Sequence, residues 1–362
     1  MLNMHKPLIV TTEGLSKIDN GPVKQTIASL EKAGVDYAVF TGAEPNPKIR
    51  NVQAGKKMYQ DENCDSIITV GGGSAHDCGK GIGIVLTNGD DISKLAGIET
   101  LKNPLPPLMA VNTTAGTGSE LTRHAVITNE KTHLKFVVVS WRNIPLVSFN
   151  DPMLMLDIPK NITAATGCDA FVQAIEPYVS VDHNPITDSQ CKEAIQLIQT
   201  ALPEVVANGH NIEARTKMVE AEMLAGMAFN NANLGYVHAM AHQLGGQYDA
   251  PHGVCCALLL TTVEEYNLIA CPERFAELAK VMGFDTTGLT LYEAAQKSID
   301  GMREMSRLVG IPSSIKEIGA KPEDFEMMAK NALKDGNAFS NPRKGTVEDI
   351  VKLYQKAYDG IY

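Results

Sequence analysis

The feature that most limits what this chain can fold into is a change of rhythm near residue 158. Before it, short apolar, β-branched runs (KPLIVTT, VDYAVFTG, SIITVGGG, PLMAVNTT) each end in Gly, Thr or Asn and alternate with helical stretches such as PVKQTIASLEKAG and NVQAGKKMYQDE. Such alternation predicts a parallel sheet covered by helices, and KFVVVSWRN and LVSFND read as further strands. After it, β-branched clusters almost vanish. DSQCKEAIQLIQTALPEVVANG, ARTKMVEAEMLAGMAFNNA and TLYEAAQKSIDGMREMSRLVG place apolar residues at helical spacing, with Gly and Pro at their ends. The sequence predicts an α/β unit over 1–157 and an all-α unit over 158–362, with a cleft between them. A chain of 362 residues is long for one core, which agrees with two.

Charge and cysteine usage narrow the function classes. The formal charge is −10 with Lys and Arg scattered, which argues against a nucleic-acid footprint. No run of eighteen apolar residues exists, so no membrane span is expected, and MLNMHKPLIVTTEG lacks the long apolar stretch of a secretory signal. Seven cysteines without CxxC spacing point to a reducing cytoplasm; Cys255 and Cys256, in GVCCALLL, read as core thiols.

Two loops follow strands in the first half. SIITVGGGSAHDCGK is a strand, then Gly71, Gly72, Gly73 and Ser74, then a helix start. It is either a tight strand-to-helix turn or a cradle whose backbone N–H groups approach a pyrophosphate. It departs from GxGxxG, because His76 stands where the last glycine would fall. NTTAGTGSE offers hydroxyls on Thr113, Thr114, Thr117 and Ser119, with Ser119 a candidate helix cap and Glu120 in the first turn. Two such loops at the C-terminal ends of strands favour a dinucleotide in a Rossmann-like sheet.

The second half carries a histidine cluster. His238 and His242, at i and i+4, share a helix face in GYVHAMAHQLGGQYDAPHG, and His252 follows a turn. Asp169 and Gln173 share a face in TAATGCDAFVQAIE, and a carboxylate inside an apolar helix needs a partner. The set is a divalent-metal site, or Asp169 caps or pairs with a histidine for stability alone. Thr163 is a candidate N-cap, and Asn230 and Asn231 read as caps first. Trp141 reads as packing in a strand, and Met223, Met227 and Met240 read as core fillers.

Taken together, EPNP (Glu44–Pro47), GGGSAHDCGK, NTTAGTGSE, the spaced Asp151, Pro159, Asp169 and Glu176, FNNANLGYVHAMAHQLGGQYDAPHG and DGNAFSNPRKG resemble the iron-containing (group III) alcohol dehydrogenase family. The last two are especially similar to its propanediol-type members. The resemblance implies a dinucleotide domain followed by a helical metal domain of the dehydroquinate synthase-like kind. It implies Gly72, Gly73 and Ser74 at the pyrophosphate, Thr113, Thr114 and Thr117 along the nucleotide, and Lys135 at a ribose. Asp169, His238 and His252 match the metal ligands. His242 matches the histidine beside the nicotinamide and is the candidate catalytic residue. The activity implied is NAD-dependent, Fe²⁺-dependent interconversion of a small primary alcohol or diol (1,3-propanediol-like) and its aldehyde, in a homo-oligomer.

Three departures bear on that expectation. Gln173 stands where the family has a fourth, histidine ligand, and an amide oxygen is a poorer donor, so weaker and less selective metal retention is expected, with Zn²⁺ as another possible occupant. Thr12 stands where NAD-specific relatives have an aspartate, so acceptance of NADP alongside NAD is expected; Glu13 next door points differently along a strand end. Relatives carry an extra strand and helix before LIVTTEG, and an edge element missing there would be expected to weaken the cofactor domain or an oligomer contact. The alternatives are a metal-depleted member that only binds nucleotide, a zinc-dependent glycerol dehydrogenase-like sibling, and a dehydroquinate synthase. The last is disfavoured because no cationic cluster falls around residues 230–256.

Overall fold

A computed structural model describes residues 4–132 and 134–361, which form two compact units, Met1–Met155 and Leu156–Tyr362. The core of the first is a five-stranded, wholly parallel sheet in the order β2-β1-β3-β5-β8. Its strands are β1 (Pro7–Val10), β2 (Ala38–Phe40), β3 (Ser66–Gly71), β5 (Leu108–Asn112) and β8 (Val147–Phe149). β1 and β3 are buried along their whole length, the reason they read as unbroken apolar runs rather than alternating ones. Their side chains still divide by the two-residue period. Leu8, Val10 and Ile67 pack on one face with Ile82 of α4 (Gly73–Asn88) and Met58 of α3 (Ile49–Asp61). Ile9, Ile68 and Val70 pack on the other with Val23 and Ile27 of α2 (Pro22–Lys32).

Two sequence expectations change here. KFVVVS does not join the parallel sheet: β7 (Leu134–Val139) pairs antiparallel with β6 (His124–Asn129), which was not foreseen, and parallel with the two-residue β4 (Gly97–Ile98). Trp141 lies beyond β7, in a 3₁₀ turn that Ser140 caps through Arg142 N. It is 51% exposed, with the Arg123 guanidinium 4.9 Å from its ring, so it is not strand packing.

The strand LIVTTEG also ends early. β1 stops at Val10, and Thr12 caps the short helix α1 (Glu13–Ser16), its hydroxyl accepting from Leu15 N at 3.3 Å. Glu13 therefore opens a helix, where its carboxylate pairs with Lys17 at 2.6 Å.

The second unit contains, among the described residues, α5 (Lys160–Val179), α6 (Pro185–Ala207), α7 (Ile212–Ala232), α8 (Tyr236–Tyr248), α9 (His252–Asn267), α10 (Pro272–Val281), α11 (Leu291–Leu308), α12 (Phe325–Ala332) and α13 (Val347–Asp359), with short 3₁₀ turns between them. α5 is its central element: every residue from Gly167 to Val179 is buried, as expected of a helix covered on all sides. α9 approaches it so closely that a Cβ on Gly253 would lie 2.0 Å from Ala165 O. Only glycine permits this contact, and the contact brings the start of α9 against Asp169.

The cap assignments shift. α5 starts after Pro159, so Thr163 lies inside the helix, where its hydroxyl accepts from Arg215 Nη1 at 3.1 Å. Asn230 and Asn231 belong to the last turn of α7; Asn233, at φ 58°, ends it, and α8 begins after Gly235. Met240 is fully buried, whereas Met227 is 36% exposed and does not fill the core. The stretch His252–Ala270 is long and apolar enough to cross a bilayer by length and composition, although polar residues interrupt its apolar run. Two thirds of it is buried against the other helices, so it serves as a core helix of this unit.

Candidate metal centre and nucleotide loops

Asp169 projects from α5, His238 from α8 and His252 from the first residue of α9. Asp169 Oδ1 lies 3.6 Å from His238 Nε2 and 3.7 Å from His252 Nε2. These separations exceed a hydrogen bond, and both Asp169 Oδ1 and His238 Nε2 are buried with no hydrogen-bond partner. Leaving a desolvated carboxylate oxygen and ring nitrogen unpaired is costly unless a cation accepts them. Cys256, one turn after His252, joins the group: ligand atoms of Asp169, His238, His252 and Cys256 all lie within 4.8 Å of one another. Gln173, one turn after Asp169, is buried, and its Oε1 also lacks a partner.

The surroundings orient these donors. Glu176 accepts His238 Nδ1 through Oε2 at 2.5 Å, while its Oε1 accepts Val237 N at 2.7 Å. That fixes the imidazole so that Nε2 faces Asp169, the arrangement typical of a ligating histidine. Gly235 makes room for it, since a Cβ there would meet Glu176 Oε1 at 2.8 Å. Burial alone lowers the His238 imidazole, but the acidic side chains around it (Cys256, Glu176 and Asp169) prevail and raise it well above 6.5. The cluster thus favours a positive charge at this point. Burial pushes the Cys256 thiol up to about 12, against the pull of His238; a dication held beside it would reverse that preference.

His242 stands beside this group, its ring 5.5 Å from that of His252 and stacked on it. Its Nδ1 lies 2.7 Å from Asp335 Oδ2. Asp335 is held below the usual carboxylate range: burial raises it, and His242 with the Asn337 backbone N–H more than offsets this. Asp335 thus orients the His242 ring, a role the sequence did not reveal. Nor did the sequence place Glu176 and Cys256 beside these side chains. The available signals were the i, i+7 spacing of Asp169 and Glu176 and the i, i+4 spacing of His252 and Cys256.

In the α/β unit the two loops meet. A Cβ on Gly72 would lie 2.5 Å from Thr114 Oγ1, and one on Gly73 2.6 Å from Thr117 Cγ2. α4 begins at Gly73 with no side chain capping its first N–H groups. Thr113 N donates to Gly71 O at 3.0 Å, which ties the two strand ends together, and Thr114 Oγ1 is buried with no partner. Ser74 lies in the first turn of α4. Lys135, on β7, is one of the positive charges that counteract the burial-raised pKa of Asp77 in α4. Thr12 is occupied as the α1 cap. Ser119 is not a cap: it opens a 3₁₀ turn after Gly118, which also holds Glu120, and donates to Asp77 Oδ1 at 2.7 Å.

The model of the family described as "Iron-containing alcohol dehydrogenase" matches residues 1–152, and that of "Fe-containing alcohol dehydrogenase family, C-terminal" matches residues 163–358. The chain belongs to the iron-containing alcohol dehydrogenase family. A 1,3-propanediol dehydrogenase of Citrobacter freundii is 56% identical over 358 residues, 99% of this chain and 92% of the relative. An alcohol dehydrogenase from Oenococcus oeni has a solved structure with TM-score 0.96 and 77% identity, covering 99% of this chain and 94% of that one. The sulfoacetaldehyde reductase of Bifidobacterium kashiwanohense, solved in complex with NAD⁺, matches with TM-score 0.84 and 31% identity, covering 98% and 91%. The chain is therefore an oxidoreductase acting on alcohols. The residues present fit the family's two cofactors. The orphaned Asp169 Oδ1 and His238 Nε2 suit a divalent iron, and the glycine-threonine cradle with its unpartnered Thr114 hydroxyl suits NAD.

Proposed function

We propose that this chain interconverts a small primary alcohol or diol, with 1,3-propanediol as the model substrate, and the matching aldehyde, in the manner of the 1,3-propanediol dehydrogenases it is similar to. The observation that carries this reading is the convergence of His238 and His252 on Asp169 Oδ1, at 3.6 and 3.7 Å, with His242 stacked against His252. When bound, the divalent ion supplies Lewis acidity that favours the alkoxide, and NAD supplies the hydride acceptor.

The chain's own residues do the rest. Asp169, His238 and His252 hold the ion, with Gln173 Oε1 as a further, neutral donor. Gly72, Gly73 and Ser74 take the pyrophosphate on the first turn of α4, Thr113, Thr114 and Thr117 line the nucleotide, and Lys135 reaches a ribose. Asp335 anchors His242 through Nδ1, so that the opposite ring nitrogen, Nε2, exchanges the substrate proton with solvent. Because the Thr12 hydroxyl caps α1 and Glu13 is paired with Lys17, neither offers a carboxylate to repel a 2′-phosphate, and NADP is accepted alongside NAD. The setting is the reducing cytoplasm, where seven unpaired cysteines persist, and the assembly is a homo-oligomer without membrane or nucleic-acid partners.

The test is oxidation of 1,3-propanediol by the full chain with NAD or NADP, before and after chelation and on return of Fe²⁺. Chelated enzyme should be inactive and iron should restore it. His252→Ala should lose at least roughly 100-fold in turnover while its NAD affinity is kept. Undiminished turnover in that variant overturns the reading, and a strong preference for NAD over NADP overturns the part assigned to Thr12.

A further inference from the structure

The proposed metal centre has a mismatch at its fourth corner. Gln173 brings only a neutral amide oxygen where the family resemblance calls for an imidazole. Yet a further donor, from another helix, lies with Asp169, His238 and His252. Cys256 lies four residues after His252 on α9, hence on the same face, with Sγ 3.7 Å from His252 Nε2. A four-coordinate centre with bonds of about 2.0–2.3 Å separates its donor atoms by roughly 3.3–3.8 Å. The edges Asp169–His238, Asp169–His252 and His252–Cys256, at 3.6, 3.7 and 3.7 Å, fall in that range, and every donor pair of the group lies within 4.8 Å. Two of its donor atoms, Asp169 Oδ1 and His238 Nε2, are more than nine-tenths buried and lack any hydrogen-bond partner. The neighbouring thiols Cys255 and Cys168 are equally buried but fall outside the group. Adjacent helical residues point about 100° apart, so a coincidence of apolar packing would not single out Cys256.

We infer that Cys256 is a protein ligand of the metal, completing an Asp169, His238, His252, Cys256 set that replaces the missing imidazole at position 173. The inference rests on the metal-dependent reading above. A thiolate and a carboxylate together balance the charge of a dication, which an aspartate with a glutamine does not. The sulfur also moves the site toward borderline-soft ions, so Zn²⁺ and Co²⁺ compete better against Fe²⁺ than at an all-nitrogen-and-oxygen site. Coordination displaces the thiol proton to solvent, and no oxidation or reduction is involved.

The experiment uses the full chain, stripped by chelator and reloaded with Co²⁺ alone. Wild type should show a near-ultraviolet sulfur-to-cobalt charge-transfer band. That band should be absent from Cys256→Ser and Cys256→Ala, and present in Cys255→Ser, Cys168→Ser and Gln173→Ala. The serine variant should still bind Co²⁺, roughly 10–100-fold more weakly. X-ray absorption at the zinc edge of the Zn²⁺-loaded wild type needs no variant and should find one sulfur at about 2.3 Å. Stoichiometric Co²⁺ without the band, or a first shell without sulfur, overturns the role of Cys256 and leaves the metal centre standing. Wild type that takes up no Co²⁺, Zn²⁺ or Fe²⁺ overturns both readings. A band that survives in Cys256→Ser but disappears in Cys168→Ser assigns the sulfur elsewhere and likewise overturns it.

Discussion

In the α/β unit the candidate cofactor site is made of backbone and hydroxyl groups on two short loops, Gly72–Ser74 and Thr113–Thr117, held together by direct contact between glycine and threonine. In the helical unit the candidate metal centre is made of ionisable side chains on α5, α8 and α9, spread over residues 169 to 256. The first needs space and exposed N–H groups, and its parts are neutral. The second needs charge, and its parts are unfavourable when buried alone. A site of the first kind fails by being filled. One of the second kind fails by being unbalanced, or by losing the packing that brings distant segments together.

The strongest attempt to break this contrast is Asp169→Ala. It should abolish retention of Fe²⁺ through gel filtration and lower kcat by at least about 100–1,000-fold, with NAD affinity unchanged. Elemental analysis beside an NAD titration checks both, and a matching loss of NAD affinity would erase the distinction between the sites. Next in size is a matched pair of glycine substitutions. In Gly253→Ala the new Cβ meets a carbonyl of α5 that no rotamer change can move. The expected cost is about 2–3 kcal/mol in urea unfolding, with loss of metal. In Gly73→Ala it meets the Thr117 side chain, which can turn aside. Stability should stay within about 1 kcal/mol while NAD binding weakens. Equal losses of stability in the two variants would contradict the distinction between backbone and side-chain contact.

Glu176→Gln tests whether the helical site depends on what stands behind its ligands. The amide cannot hold His238 Nδ1 as the carboxylate does, and metal affinity should fall about 10–100-fold with the fold intact. The smallest effect concerns Glu264 of α9, raised to about 8 by burial and then by the nearby Glu176 charge. The folded protein keeps this proton up to that pH, whereas an unfolded chain releases it near 4.3. The stabilisation is therefore fully present below about pH 4.3 and is lost as pH rises toward 8. Glu264→Gln does not titrate, so its melting temperature should gain on wild type between pH 5 and pH 8, by on the order of 1–3 kcal/mol in stability. A constant difference across that range would show that Glu264 is not a buried acid.

The same contrast explains what could be read from the chain before its structure. Glycine and threonine loops are local, so SIITVGGGS and NTTAGTG announced themselves as turns after strands, and the parallel sheet followed from the alternation around them. That Asp169, His238 and His252 come together was legible, because a carboxylate and closely spaced histidines are out of place in apolar helices. Cys256 was not, because a thiol in GVCCALLL looks the same whether it packs or ligates. Asp335 lies 93 residues from the histidine it holds, and no local pattern records that pairing. β6 went unseen because HAVITN is brief and mixes polar with apolar residues; its partner KFVVVS was legible as a strand, but its apolar composition does not say which sheet it joins. Trp141 was misplaced by the same cue, since the Ser140 cap that turns the chain outward is a single hydroxyl.

The order in which the proposed metal donors appear along the chain has a consequence for how the enzyme matures. Only Asp169 lies in the first two hundred residues; both imidazoles and the thiol come after residue 237. A growing polypeptide that has completed the entire parallel sheet, and even α5 through α7, still holds a single carboxylate with no companion. Since chains fold from the N-terminus in units as they are made, the dinucleotide fold can be finished while iron still has nowhere to go. On the proposed ligand set, loading would be a late event that begins when α9 closes onto α5 at Gly253, and a cell short of iron would accumulate protein able to hold NAD but unable to use it.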